Sequence, residues 1–150
     1  MTDSPPMPLA KVLIVDDDAI LSQTAAEVLR RQKFEVQISA DAETAIGLAH
    51  SWHPDLIVLD VVLEDSDGFE MLAKLKASPD TWDIGVVLFT GFPDVASARR
   101  ATAMGAAYVA KPVRAPELVR IVRERLARAQ ALSDLRPGTS MAPVPAKHEF

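Results

Sequence analysis

Lys11-Val12-Leu13-Ile14-Val15-Asp16-Asp17-Asp18 is the stretch from which the fold is read. The run from Lys11 to Val15 is short, rich in β-branched residues and halted abruptly by acids. A strand buried on both faces has this uninterrupted apolar character, whereas a half-exposed strand alternates. Beyond the acids, Leu21, Ala25, Val28 and Leu29 recur at helical spacing as far as Lys33, so an amphipathic helix follows the strand.

The strand-then-helix cycle continues along the chain. Phe34-Glu35-Val36-Gln37-Ile38 alternates with period two, which suits a half-buried strand at a sheet edge. Asp41 can cap a helix whose Ala42, Ala45, Ile46 and Ala49 share one face, and His53-Pro54 ends it. Leu56-Ile57-Val58-Leu59 is a second apolar run that ends in an acid, Asp60; Gly68 to Ala77 is helical in pattern; Gly85 to Phe89 is a third buried strand with Thr90 at its end. A helix from Pro93 to Met104 leads to a strand over Ala106 to Ala110, and Leu118, Ile121, Val122, Leu126 and Ala129 mark a last helix. Five strands alternating with five helices imply right-handed crossovers and a parallel sheet covered on both faces, a doubly wound α/β fold. Ligands of such sheets gather beyond the carboxyl ends of the strands, where the strand order reverses, and the acids stand at those ends.

Composition agrees with one packed domain plus tails. The 150 residues are 49% hydrophobic and 25% charged, the balance of a globular protein with a single core. A net charge of -5 argues against a binder that holds nucleic acid by neutralising phosphates, and the chain is expected to make no direct nucleic-acid contact. With no cysteine, disulfides, thiolate catalysis and cysteine-bound zinc are excluded. The opening residues lack the basic start and apolar stretch of a secretory signal, and no segment approaches ~18 consecutive apolar residues, so a cytoplasmic protein with no membrane contact is expected. The expected organisation is a mobile N-terminal tail over 1–8, one domain over 9–131, and a linker or disordered tail over 132–150, where Pro137-Gly138, Pro143 and Pro145 occur without apolar periodicity.

Asp16, Asp17 and Asp60 lie at the ends of two neighbouring strands of the inferred sheet and should converge in one cleft, where their mutual repulsion calls for a cation. Mg²⁺ suits such a set because it accepts a few carboxylates together with waters and a phosphate. An isolated strand-end acid is more often a solvated loop residue or a helix cap, and Asp18 reads as such a cap. Three acids together with Thr90 and Lys111, which end the two remaining inner strands, favour a site instead. Lys111, held between a strand and Pro112, can reach back to a carboxylate or phosphate, and Thr90 offers a hydroxyl to a phosphoryl oxygen.

The ordered set Val15-Asp16-Asp17, Asp60, Asp67-Gly68, Thr90-Gly91 and Tyr108-Val109-Ala110-Lys111-Pro112 resembles the receiver domain of two-component response regulators over roughly Leu9 to Gln130. The resemblance implies a flavodoxin-like, chemotaxis-regulator-like sheet of order 2-1-3-4-5. It implies that Asp60 is the phosphoacceptor, that Asp17 and Asp60 ligate Mg²⁺ directly, that Asp16 acts through a metal-bound water, and that Val62 supplies a backbone carbonyl ligand. Lys111 would hold the phosphoryl oxygens, and Thr90 and Tyr108 would be a switch pair acting on the face of the fourth helix, fifth strand and fifth helix. The implied donor is a sensor histidine kinase or phosphotransfer protein, recognised through the first helix and the loop after the fifth strand. The receiver of the signal is a downstream protein or an output domain outside this chain, with homodimerisation through the switching face as a further expectation. Such a domain assists its own phosphorylation and dephosphorylation and is not a turnover enzyme.

Departures from the family pattern carry their own expectations. Glu64 stands where proline is usual, which suggests a looser loop after Asp60, and Gly91 replaces a common alanine. Val62 and Phe92 are apolar where fast-decaying relatives carry groups that position water, so slow loss of the phosphoryl group is expected. A phosphatase of the haloacid-dehalogenase kind would need an acid two residues after its nucleophile, and this chain has Val62 there. A receiver-like binding module that is never phosphorylated usually lacks an acid, the lysine or the threonine, all of which are present. Arg114, Arg120, Arg123, Arg125 and Arg128 make the last helix basic, most simply a solvated face and alternatively a docking one. His50 and His53 read as helix-end residues without a matched carboxylate, not as zinc ligands.

Overall fold

The computed structural model describes residues 9–133. Its elements run β1 (Lys11–Val15), α1 (Ala19–Arg31), β2 (Glu35–Ser39), α2 (Ala42–Trp52), β3 (Leu56–Asp60), α3 (Gly68–Lys76), β4 (Gly85–Thr90), α4 (Val95–Ala103), β5 (Ala107–Ala110) and α5 (Ala115–Ser133). The strands form one parallel sheet in the order β2-β1-β3-β4-β5, the doubly wound flavodoxin-like arrangement, with β2 at one edge as its alternating pattern implied and β5, expected to be an inner strand, at the other because it pairs with β4 alone.

The uninterrupted apolar runs are explained by two cores. Successive strand residues point to opposite faces, so Leu13 and Val15 of β1, Ile57 and Leu59 of β3, and Val86 and Leu88 of β4 pack on one side with Ala45 of α2 and Leu72 of α3. Val12, Ile14, Leu56, Val58, Val87 and Phe89 pack on the other with Leu29 of α1 and Ile121 and Val122 of α5. Each such side chain, when fully buried, contributes about 1.5–3 kcal/mol relative to exposure, which makes the three central strands the rigid base of whatever stands at their ends.

Aspartates set the helix starts. Asp18, Asp41, Asp67 and Asp94 occupy the N-caps of α1, α2, α3 and α4, with side chains accepting backbone N–H groups two or three residues after the cap. The helix expected from Pro93 therefore starts later, because Asp94 takes the Ser97 N–H and leaves Pro93 outside the cap. Phe34 donates its N–H to the Leu29 carbonyl and so closes α1 instead of opening β2, and Ala106 likewise donates to Ala101 and closes α4. The last helix runs to Ser133. The expectations for residues 1–8 and for the tail from 134 onward lie outside the described residues.

Candidate functional site

The sheet register brings the site residues together. Val15 pairs with Leu59, so the residues that follow them, Asp16 and Asp60, stand side by side at the carboxyl edge, where the chain order reverses between β1 and β3. Asp60 pairs with Phe89 and Thr90 with Ala110, which sets Thr90 and then Lys111 along the same edge. Backbone bonds extend the ladder past the strands: Asp16 N–H donates to the Ser39 carbonyl at 3.0 Å, Val61 N–H to Phe89 at 2.9 Å and Lys111 N–H to Thr90 at 2.8 Å.

Asp16, Asp17 and Asp60 each present a carboxylate oxygen within 4.8 Å of the others, and among the described residues they form the one acidic group so arranged. Lys111 Nζ lies 3.2 Å from an oxygen of Asp16 and 3.2 Å from an oxygen of Asp60. The other Asp16 oxygen accepts the Asp18 N–H at 2.9 Å, and the other Asp60 oxygen accepts the Val62 N–H at 3.2 Å. Burial pushes the Asp60 carboxyl above its usual range; the Lys111 ammonium and the Val62 N–H oppose that rise, and Asp16 adds to it. Burial pulls the Lys111 amine down, but the carboxylates of Asp16 and Asp60 outweigh it and hold its pKa above the ordinary value.

The donor set fits a hard divalent cation. It offers carboxylate oxygens and no nitrogen or sulfur ligand, it carries more negative charge than one lysine offsets, and Asp17 is exposed enough to leave room for water. Asp18 is a cap, as expected: its side chain accepts the Ile20 and Leu21 N–H groups.

Thr90 is 3% exposed at the end of β4, and its Oγ1 accepts the Phe92 N–H at 3.0 Å, which fixes the hydroxyl at the carboxyl edge of the sheet. Tyr108 is half-buried, and its hydroxyl oxygen accepts the Asp94 N–H at 3.2 Å, so the ring is tied to the start of α4. Val62 and Phe92 are 62% and 85% exposed, an apolar rim on the loops beside the acids.

Three contacts were not legible in the sequence. Asp65 reaches back to the start of α2, where Ala42 N–H donates to it at 3.0 Å and Glu43 N–H at 3.3 Å. Asp94 uses its backbone to hold Tyr108 while its side chain caps α4. His50 does have a carboxylate partner: its Nδ1 lies 2.8 Å from Asp80, which corrects the reading that none was matched. Asp80 comes from the segment after α3, thirty residues away in sequence, and spacing along α2 carries no sign of it.

The sheet order and the carboxylate–lysine cluster together define a doubly wound α/β domain with a charged site at the carboxyl edge of its sheet. The chain belongs to the response regulator receiver domain family, whose model matches residues 12–123. Its role is therefore phosphorelay signalling as the receiver domain of a two-component response regulator. It is 35% identical over 119 residues to the probable transcriptional regulatory protein TcrX of Mycobacterium tuberculosis, covering 78% of this chain and 50% of that protein. It is 32% identical over 119 residues to the DNA-binding response regulator MtrA of Mycobacterium leprae, covering 79% and 52%. The chain thus spans about half the length of the curated relatives it matches. Among solved structures, a CheY-like receiver domain protein from Methanospirillum hungatei JF-1 superposes with a TM-score of 0.76 at 28% identity, covering 83% of this chain and 99% of that one. A putative response regulator from Chloroflexus aurantiacus J-10-fl gives 0.75 at 31% identity, with 81% and 100% covered. No helix among the described residues is long and apolar enough to cross a membrane.

Proposed function

We propose that Asp60 accepts a phosphoryl group from a sensor histidine kinase or phosphotransfer protein, in a reaction that requires Mg²⁺ held by Asp17, Asp60 and the backbone carbonyl of Val62, with Asp16 acting mainly through a metal-bound water. The observation that carries this reading is the convergence of the three carboxylates with Lys111, whose amine lies 3.2 Å from Asp16 and from Asp60. An Asp60 oxygen attacks phosphorus in line, the P–N bond of the donor's phosphohistidine breaks, the imidazole leaves, and an acyl phosphate forms. When bound, Mg²⁺ supplies neutralisation of charge on the transferring oxygens. Lys111 leaves its contact with Asp60 to hold a phosphoryl oxygen, and the Val62 N–H keeps the carboxylate oriented.

Thr90 then turns its hydroxyl to the phosphoryl group, releasing the Phe92 N–H, and Tyr108 gives up Asp94 to follow it inward. That rearrangement shifts a two-state equilibrium at the α4–β5–α5 face. This face acts on a downstream protein, on an output domain outside the present chain, or on a second copy in a homodimer; the chain itself makes no direct contact with nucleic acid. The receiver unit spans 9–131 and works in the cytoplasm as a phosphoacceptor, not a turnover enzyme. Incubation with acetyl phosphate and Mg²⁺ is expected to add one phosphoryl group of about 80 Da by intact mass, with none in the presence of chelator. An absent adduct together with failure to bind beryllofluoride overturns the reading in favour of a partner-binding module.

The exposed side chains of Val62 and Phe92 offer no hydrogen bond to a water approaching the phosphoryl group. Slow loss of the group is expected, and exchanging both for polar residues, as in Val62→Asn with Phe92→Glu, is expected to shorten its lifetime about tenfold or more. Decay of the adduct is followed by mass; a wild-type lifetime of only seconds contradicts the argument.

A further inference from the structure

The loop between β3 and α3 lacks the family's proline, Glu64 standing in its place, yet it is tied down at several points. Leu63 is 7% exposed in the core under α2 and α3, its N–H donates to the Ser66 carbonyl at 3.1 Å, and Val62 pairs with Asp67 in a short bridge. Asp65 adds a link to another part of the chain.

The first N–H groups of an α-helix have no partner inside the helix. At α2 the Asp41 side chain takes the Thr44 N–H at 2.7 Å, and its carbonyl takes the Ala45 N–H at 3.2 Å. The remaining Ala42 and Glu43 N–H groups donate to the two oxygens of Asp65. The cap of α2 is therefore completed from the loop that carries Val62. The start of α2 is also joined to the acid cluster from the other side, because Ser39 accepts the Asp16 N–H with its carbonyl and donates its hydroxyl to the Asp41 carbonyl. A continuous path runs from Asp16 through Ser39, Asp41 and α2 to Asp65 and back to the loop beside Asp60.

We propose that Asp65 is a positioning residue for phosphoryl acceptance: by gripping the N-terminus of α2 it sets where the β3–α3 loop holds the Val62 backbone against Asp60. The proposal rests on Asp60 being the acceptor. The Val62 N–H donates to Asp60 at 3.2 Å, so a displaced loop turns the carboxylate and moves the Val62 carbonyl. The N–H of Ala42 holds the Asp65 carboxyl below the usual carboxylate range, as expected of a carboxylate bound at a helix N-terminus.

A residue that merely caps α2 would act as Asp41 does, and this separates the two roles. The rate of phosphorylation by acetyl phosphate is measured by intact mass across a Mg²⁺ titration for the wild type, Asp65→Ala, Asp65→Asn and Asp41→Ala. Asp65→Ala is expected to react on the order of tenfold more slowly and to need more Mg²⁺, because small misplacements of reacting groups are costly. Asp65→Asn, which keeps an acceptor oxygen, recovers part of the rate, and Asp41→Ala, which loses a side-chain cap but keeps the backbone carbonyl that Ser39 and Ala45 use, stays close to wild type. Equal slowing of Asp65→Ala and Asp41→Ala, or no slowing of Asp65→Ala, overturns the proposal. If Asp65→Ala does not fold, Asp65→Asn against Asp41→Ala decides the matter, an intermediate rate supporting the role and a wild-type rate overturning it. A wild type that takes no phosphoryl group overturns the acceptor reading itself and this role with it, an outcome visible before any variant is compared.

Discussion

Asp60→Asn is expected to lower phosphoryl incorporation by more than roughly a thousandfold, since the nucleophile is gone while the rest of the site stands. The same substitution is expected to stabilise the cation-free protein at neutral pH. The Asp60 pKa is raised chiefly by burial, so its folded form holds a proton more readily than its unfolded form. Such a group contributes stability that is full below the unfolded carboxyl range and is lost as pH rises through the folded pKa. At neutral pH the ionised Asp60 works against the fold, and a neutral amide of the same shape removes that cost while Lys111 keeps its contact with Asp16. Solvent reaching the site screens part of the effect. Thermal unfolding without divalent cation should therefore show a higher midpoint for the variant near neutral pH, with the gap closing as pH falls towards the carboxyl range of about 4. A variant that takes up phosphate normally, or that melts below wild type at neutral pH, contradicts these assignments.

Gly68→Ala carries the second large effect. A Cβ at Gly68 would lie 2.7 Å from the backbone oxygen of Asp60 and 3.0 Å from the Cα of Val61, both main-chain atoms that move only with the strand end. Gly68 also donates its N–H to the Val61 carbonyl at 2.7 Å, so α3 starts pressed against the residues after β3. Overpacking of this kind costs about 1–3 kcal/mol, and the distortion falls on the segment that holds Asp60. Urea unfolding should show the loss in stability, accompanied by slower phosphorylation. Gly47→Ala is the control of opposite sign: nothing lies within 4 Å of its Cβ position on α2, and a helical alanine in place of glycine is expected to gain about 0.5–1 kcal/mol. Equal effects at the two positions would show that backbone approach at Gly68 is not what matters.

The fold was legible because its signals are local. Uninterrupted runs such as Leu56 to Leu59 report burial on two faces, and the structure places their alternate residues in two separate cores. The acids at the ends of β1 and β3 were legible as a cluster for a related reason: once the strands are parallel neighbours, their ends must coincide. Boundaries were less legible where a hydrogen bond back to the preceding helix delays the start of the next strand, as at Phe34 and Ala106.

By itself the sequence determined the doubly wound class, the two-sided burial of β1, β3 and β4, and which residue types stand at the carboxyl edge of the sheet. Periodicity and chain order suffice for these, because each follows from the geometry of single elements and of crossovers. Only the tertiary structure decided that Asp65 completes the cap of α2, that Asp94 holds Tyr108 and that His50 meets Asp80. Each is a directional contact between loops and helices, set within a few tenths of an ångström by the packing of the whole domain, and no period along the chain encodes it.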